Sequence, residues 1–105
     1  MDYELIVTER ADELIDASLD YLTNKLMNPE AAVHLLDELS IIYKRLIEKP
    51  YQFPESKDAY LRKRNYREAL LAGMNYKVVF RVEGTVVYIV GFFNDLEDYP
   101  NKVAE

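Results

Sequence analysis

An α+β fold is expected for this chain: a short N-terminal strand, then an antiparallel helical hairpin packed on an antiparallel sheet that three C-terminal strands complete. Apolar residues recur at three- and four-residue spacing through the first half of the sequence, the period of an amphipathic helix. From Asn65 onward the period falls to two, that of strands. The Asn28-Pro29 junction joins the two helical stretches so tightly that they must run antiparallel. A length of 105 residues suits one domain, 1–105, with one modest core.

Tyr3–Thr8 opens the chain as a short strand built on β-favouring Ile6 and Val7. Thr8 is a helix N-cap, and Glu9, Asp12 and Glu13 put negative charge where the helix dipole favours it. Ala11, Leu14, Ile15, Ser18, Leu22 and Leu26 then form one largely apolar stripe. Asn28 caps the second helix and Pro29 fits its first position, where a missing N–H costs nothing. Its core face is Ala32, Leu35, Leu36, Leu39, Ile42, Tyr43, Leu46 and Ile47, and Pro50 ends it. Residues 50–64 hold two prolines and no period, and are expected to be a loop. Asn65–Leu71 is a strand and Ala72-Gly73-Met74-Asn75 a turn. Tyr76, Val78, Phe80 and Val82 alternate with Lys77, Val79 and Arg81 in the next strand. Glu83-Gly84 is expected as a two-residue hairpin loop. Val86–Phe93 is almost wholly apolar, as a strand covered on both faces must be. Residues 94–105 are expected to hold a turn at Tyr99-Pro100 and a short helix or tail.

Composition narrows the chemistry. The formal net charge is −6, and the first thirty residues hold eight acids against Arg10 and Lys25, so that end repels nucleic acid. There is no cysteine, hence no disulfide, zinc–thiolate site or thiol nucleophile. His34 is expected to form a surface pair with Glu38 one turn on, and one histidine among scattered carboxylates is not a metal site. With three glycines there is no phosphate-cradling loop, and no cofactor is expected. The longest apolar run is far too short to span a bilayer, and Met1-Asp2-Tyr3-Glu4 does not read as a signal peptide, so a soluble cytoplasmic protein is expected.

One window departs from this acidic background. Residues 57–67 carry five of the thirteen Lys and Arg residues and one of the nineteen acids. Lys57, Arg62, Lys63 and Arg64 are interleaved with Tyr60 and Tyr66, whose rings can stack on bases. This island is the first candidate for contact with phosphate or an acidic partner; the alternative is an ordinary solvated loop.

Residues 65–99 resemble the RelE/ParE superfamily of toxins. They supply an Arg-bearing strand, then Asn75-Tyr76-Lys77-Val78-Val79-Phe80 as a Tyr-Arg-type strand, a hairpin, a last apolar strand and Asp98-Tyr99. The first strand, the helical hairpin and the Asn28–Ala32 junction extend the resemblance over nearly the whole chain. It implies a growth-inhibiting toxin neutralised by a cognate antitoxin encoded alongside. Of its two branches, RelE-like members cleave mRNA on the ribosome, and ParE-like members bind and poison DNA gyrase. For the first, the resemblance implies a catalytic role for Arg67, Arg81 and Tyr99. Cleavage through the 2′-hydroxyl needs a proton acceptor, a donor to the leaving oxygen and cations for the phosphate. The sequence departs from the pattern where nuclease members carry cations: Ala72, Phe93 and Asn94 stand there, followed by the acidic Asp95-Leu96-Glu97. The basic island makes ribosome-dependent mRNA cleavage the leading expectation. The missing cations favour a gyrase inhibitor, or an inactive relative that only binds its antitoxin.

Overall fold

Two side chains start the helices. The Thr8 hydroxyl accepts from the backbone N–H of Ala11 at 3.2 Å, and Asn28 Oδ1 accepts from that of Ala31 at 3.1 Å. Each satisfies a donor that the first helical turn leaves open, worth about 1 kcal/mol. The computed structural model describes residues 2–94. Within them the chain runs β1 (Glu4–Val7), α1 (Glu9–Asp20), α2 (Pro29–Glu48), α3 (Ala59–Lys63), β2 (Arg67–Leu70), β3 (Tyr76–Glu83) and β4 (Val86–Asn94). A π-helical turn, Tyr21–Lys25, extends α1, and a 3₁₀ turn, Pro50–Gln52, follows α2. Tyr99 and the expected terminal turn lie outside the described residues, apart from Asn94, which ends β4.

The sheet order is β1-β4-β3-β2. The three C-terminal strands are antiparallel, as expected, but β1 lies parallel to β4, so the sheet is mixed. Nothing local fixes the direction of β1, because no hairpin links it to its neighbour. The helices decide it. α1 leaves β1 at Thr8 and runs on beside the C-terminal half of β4. α2 then returns to the start of β1, where Tyr3 N–H donates to the Ile47 carbonyl at 2.8 Å.

Each face of the sheet has its own cover. Val78, Phe80, Val87, Ile89 and Phe92 pack under Leu35, Leu39, Ile42 and Leu46 of the hairpin. On the opposite face, Val79, Val90 and Phe93 meet Leu61 of α3 and Tyr66. β4 is thus buried on both sides, as its composition requires. The ladder slips by one residue between Val79 and Phe80, opposite Val90. Two residues past Gly91 on the same face, Phe93 lays its ring over the glycine, where an added Cβ would sit 2.3 Å from Phe93 Cε2.

Four other expectations are corrected. Residues 50–64 are not one loop: Pro50 starts the 3₁₀ turn, and Asp58 Oδ1 accepts from Leu61 N–H to cap α3. A five-residue helix is too short to show a period. The strand expected from Asn65 begins at Arg67, because Asn65 is in the left-handed region at φ 66°. The β3–β4 loop is Gly84-Thr85, since Glu83 still pairs with Val86; Gly84 has φ 60°, as the first loop position of a type II′ turn requires. Leu26 and Leu36 are half-exposed rather than core. The π turn changes the helical phase before Leu26, and Leu36 stands at the rim of its stripe.

Tyr43 is half-buried between the helices. Burial, with the Asp12 carboxylate adding to it, pushes its phenol up to about 12. The unfolded chain releases this proton near pH 10, the folded chain near 12. The stability Tyr43 contributes is therefore intact below pH 10 and is lost as pH rises through the folded value. Urea titrations at pH 9 and pH 11 should show a smaller alkaline loss for Tyr43→Phe than for the unaltered chain.

Candidate functional site

The basic island is built around two buried side chains. Leu61 and Tyr66 sit in the apolar cluster under α3, so the residues between and before them turn outward. Lys57, Tyr60, Arg62, Lys63 and Arg64 are all exposed. The Arg64 guanidinium lies 3.6 Å from the centre of the Tyr60 ring and donates to the Tyr60 carbonyl at 3.1 Å. Arg62 folds back to donate to the carbonyls of Ser56 and Lys57, both at 3.3 Å. The result is a compact, partly preorganised cationic edge on a chain of net charge −6. Tyr66 is not part of it: its ring is buried and cannot stack on a base.

The sequence-expected catalytic residues do not converge. Arg67 pairs with Phe80, which places it on the helix side of the sheet. It is half-buried, donates to the Phe53 carbonyl at 2.7 Å and lies 5.0 Å from the centre of the Tyr51 ring. Arg81 pairs with Tyr88 on the opposite face. It donates to Glu83 Oε2 at 2.6 Å and covers the Tyr88 ring at 4.3 Å. Tyr99, the third member, lies outside the described residues.

A pair the sequence reading missed stands on that opposite face. Lys77 Nζ is 3.4 Å from Glu68 Oε2, and both side chains are at most 4% exposed. Ser56 Oγ donates to the same carboxylate oxygen at 3.2 Å. Glu68 is a lone acid beside apolar Ala69-Leu70-Leu71, which was a clue. Only the β2–β3 register shows that it reaches Lys77 diagonally across the ladder. Lys77, on the strand read as Tyr-Arg-type, is buried and paired with Glu68.

A second feature lies at the same end of β4, on the helix-covered face of the sheet. Leu14, Ala17, Ser18, Tyr21, Tyr76, Phe92 and Asn94 line an open, mostly apolar cleft of about 580 Å³ between α1 and the sheet. Its floor includes the stacked rings of Tyr76 and Phe92, 5.2 Å apart. Leu26 and Met27 at the hairpin tip are also exposed. His34 is at the surface, 3.6 Å from Glu38, as expected. Among the described residues no group of three His, Asp or Glu side chains is placed to hold a metal ion, and no helix is long and apolar enough to cross a membrane.

This arrangement of hairpin and mixed sheet has a counterpart among solved structures. A chain of the chromosomal ParDE TA system from P. aeruginosa is similar over 88% of this chain and 95% of its own, with a TM-score of 0.69 and 22% sequence identity. The fold is ParE-like. The resemblance read from residues 65–99 therefore holds at the level of architecture. No family model matches the chain, and none of the curated proteins does.

Within this ParE-like fold the buried pair makes a stability prediction. Lys77→Met alone strands the Glu68 charge and should cost roughly 3–5 kcal/mol, whereas Glu68→Leu with Lys77→Met should stay within about 1–2 kcal/mol of the unaltered chain. Urea unfolding of the three proteins checks both values.

Proposed function

We infer that this chain is the growth-inhibiting toxin of a type II toxin–antitoxin pair and that it works as a ParE-type, non-catalytic inhibitor of DNA gyrase. The observation that carries this reading is the state of the sheet cations. Lys77 is held by Glu68, Arg81 by Glu83, and Arg67 is turned to the other face and bound to a backbone carbonyl. Phosphoryl transfer needs cations aimed at the charge that develops on the phosphate. A sheet whose cations already face carboxylates and carbonyls is poorly equipped for it. The fold likeness to a chain of a ParDE system supports the same branch.

Binding needs less than cleavage. Lys57, Arg62, Lys63 and Arg64 form an exposed edge suited to an acidic surface on the target. The apolar cleft beside α1 suits a segment of the cognate antitoxin, and Asp16 and Asp20 on α1 favour one flanked by Lys or Arg. Both partners are cytoplasmic in this reading. Ribosome-dependent mRNA cleavage is kept as the second reading because the same edge also suits an RNA backbone.

Induced expression separates the two. The expected outcome is growth arrest with a DNA-damage response and full-length transcripts. Transcripts cut within codons, without DNA damage, would reverse the assignment.

A further inference from the structure

We propose that the buried Lys77–Glu68–Ser56 chain is a positioning device that fixes the orientation of α3 and so presents Lys57, Arg62, Lys63 and Arg64 as one edge. The proposal deepens the reading above and rests on α3 being the target-contact surface.

Ser56 is the hub. Its hydroxyl donates to Glu68 Oε2 and accepts from the Asp58 N–H, each at 3.2 Å. Asp58 in turn caps α3 through Leu61 N–H at 3.0 Å. Ser56 N–H donates to the Tyr66 carbonyl at 2.9 Å, just beyond the exit of α3, and the Ser56 carbonyl accepts from Arg62. One residue that is 1% exposed thus ties the entry of α3, its exit and one of its arginines to a carboxylate in the sheet.

α3 needs such a tie. Five residues are far below the length at which a helix holds itself together. Its own buried anchor is Leu61, and apolar burial has no direction, so that contact sets the depth of α3 but leaves it free to rotate. Hydrogen bonds are directional and set the rotation. Stability alone does not require the ion pair. Two apolar side chains would hold β2 to β3 about as well. They would not reach Ser56. Lys77 holds the Glu68 carboxylate in place, and Glu68 aims Ser56.

Ser56→Ala removes one hydroxyl and leaves the Lys77–Glu68 pair in place. Amide hydrogen exchange at Arg62, Arg64 and Tyr66, whose N–H groups bond within and around α3, should rise at least tenfold while β3 and β4 amides stay unchanged. The concentration for half-inhibition of gyrase supercoiling should rise at least tenfold, with the variant still fully folded at the assay temperature. Glu68→Leu with Lys77→Met, which cuts the chain from the sheet end, should do the same, so the test does not depend on one variant folding. Unchanged α3 exchange in both variants, or an equal rise in β3 and β4, would overturn the proposal. The charge reversal Arg62→Glu, Lys63→Glu and Arg64→Glu tests the underlying reading separately. If that variant inhibits as well as the unaltered chain, α3 is not the contact surface, and the exchange data still decide whether the buried chain positions it.

Discussion

Burial of β4 on both faces is the constraint from which the rest of the structure follows. A strand with apolar side chains on both sides needs two covers and two neighbours. The helical hairpin supplies one cover, and Leu61 and Tyr66 supply the other. β3 pairs along the length of β4, while β1 pairs only with Val86–Ile89. Beyond Ile89 the flank of β4 is left to α1, and Leu14 packs into both apolar clusters there. The cleft beside α1 exists because β1 stops and a rounder helix takes its place. The Gly91–Phe93 contact belongs to the same economy of space: the ring closes the second face only because the glycine has no side chain.

The second cover of β4 also decides the electrostatics. Bringing α3 over the sheet buries Glu68 and Lys77, and a buried charge must be paired. Once paired, Lys77 is unavailable to a phosphate. The cations of α3 itself are pushed outward by the same packing, because Leu61 and Tyr66 take the inward positions. One packing event therefore removes positive charge from the sheet face and concentrates it on an exposed edge.

Much of this was legible in the residues. Thr8 and Asn28 declared their helices through cap chemistry, which is local. The continuous apolar run of Val86–Phe93 declared a strand covered on both sides. The change of period near residue 65 declared the sheet. What was hidden depended on partners distant in sequence. The direction of β1 is set by where α2 returns, and α3 is too short for periodicity to reveal. Arg67 and Arg81 each sit on an amphipathic strand, but their separation onto opposite faces follows from the β2–β3 register. Glu68 and Lys77 each looked like an ordinary strand charge until that register brought them together. Tyr66 read as a stacking ring by composition and proved to be core by position.

The central claim is that this ParE-like chain binds its target and does not cut RNA. The most direct test incubates the purified protein in parallel with DNA gyrase on a supercoiling substrate and with ribosomes carrying mRNA. Loss of supercoiling with trapped gyrase–DNA cleavage complexes, and mRNA of full length, is the predicted result. mRNA cut on the ribosome with supercoiling untouched would contradict the account.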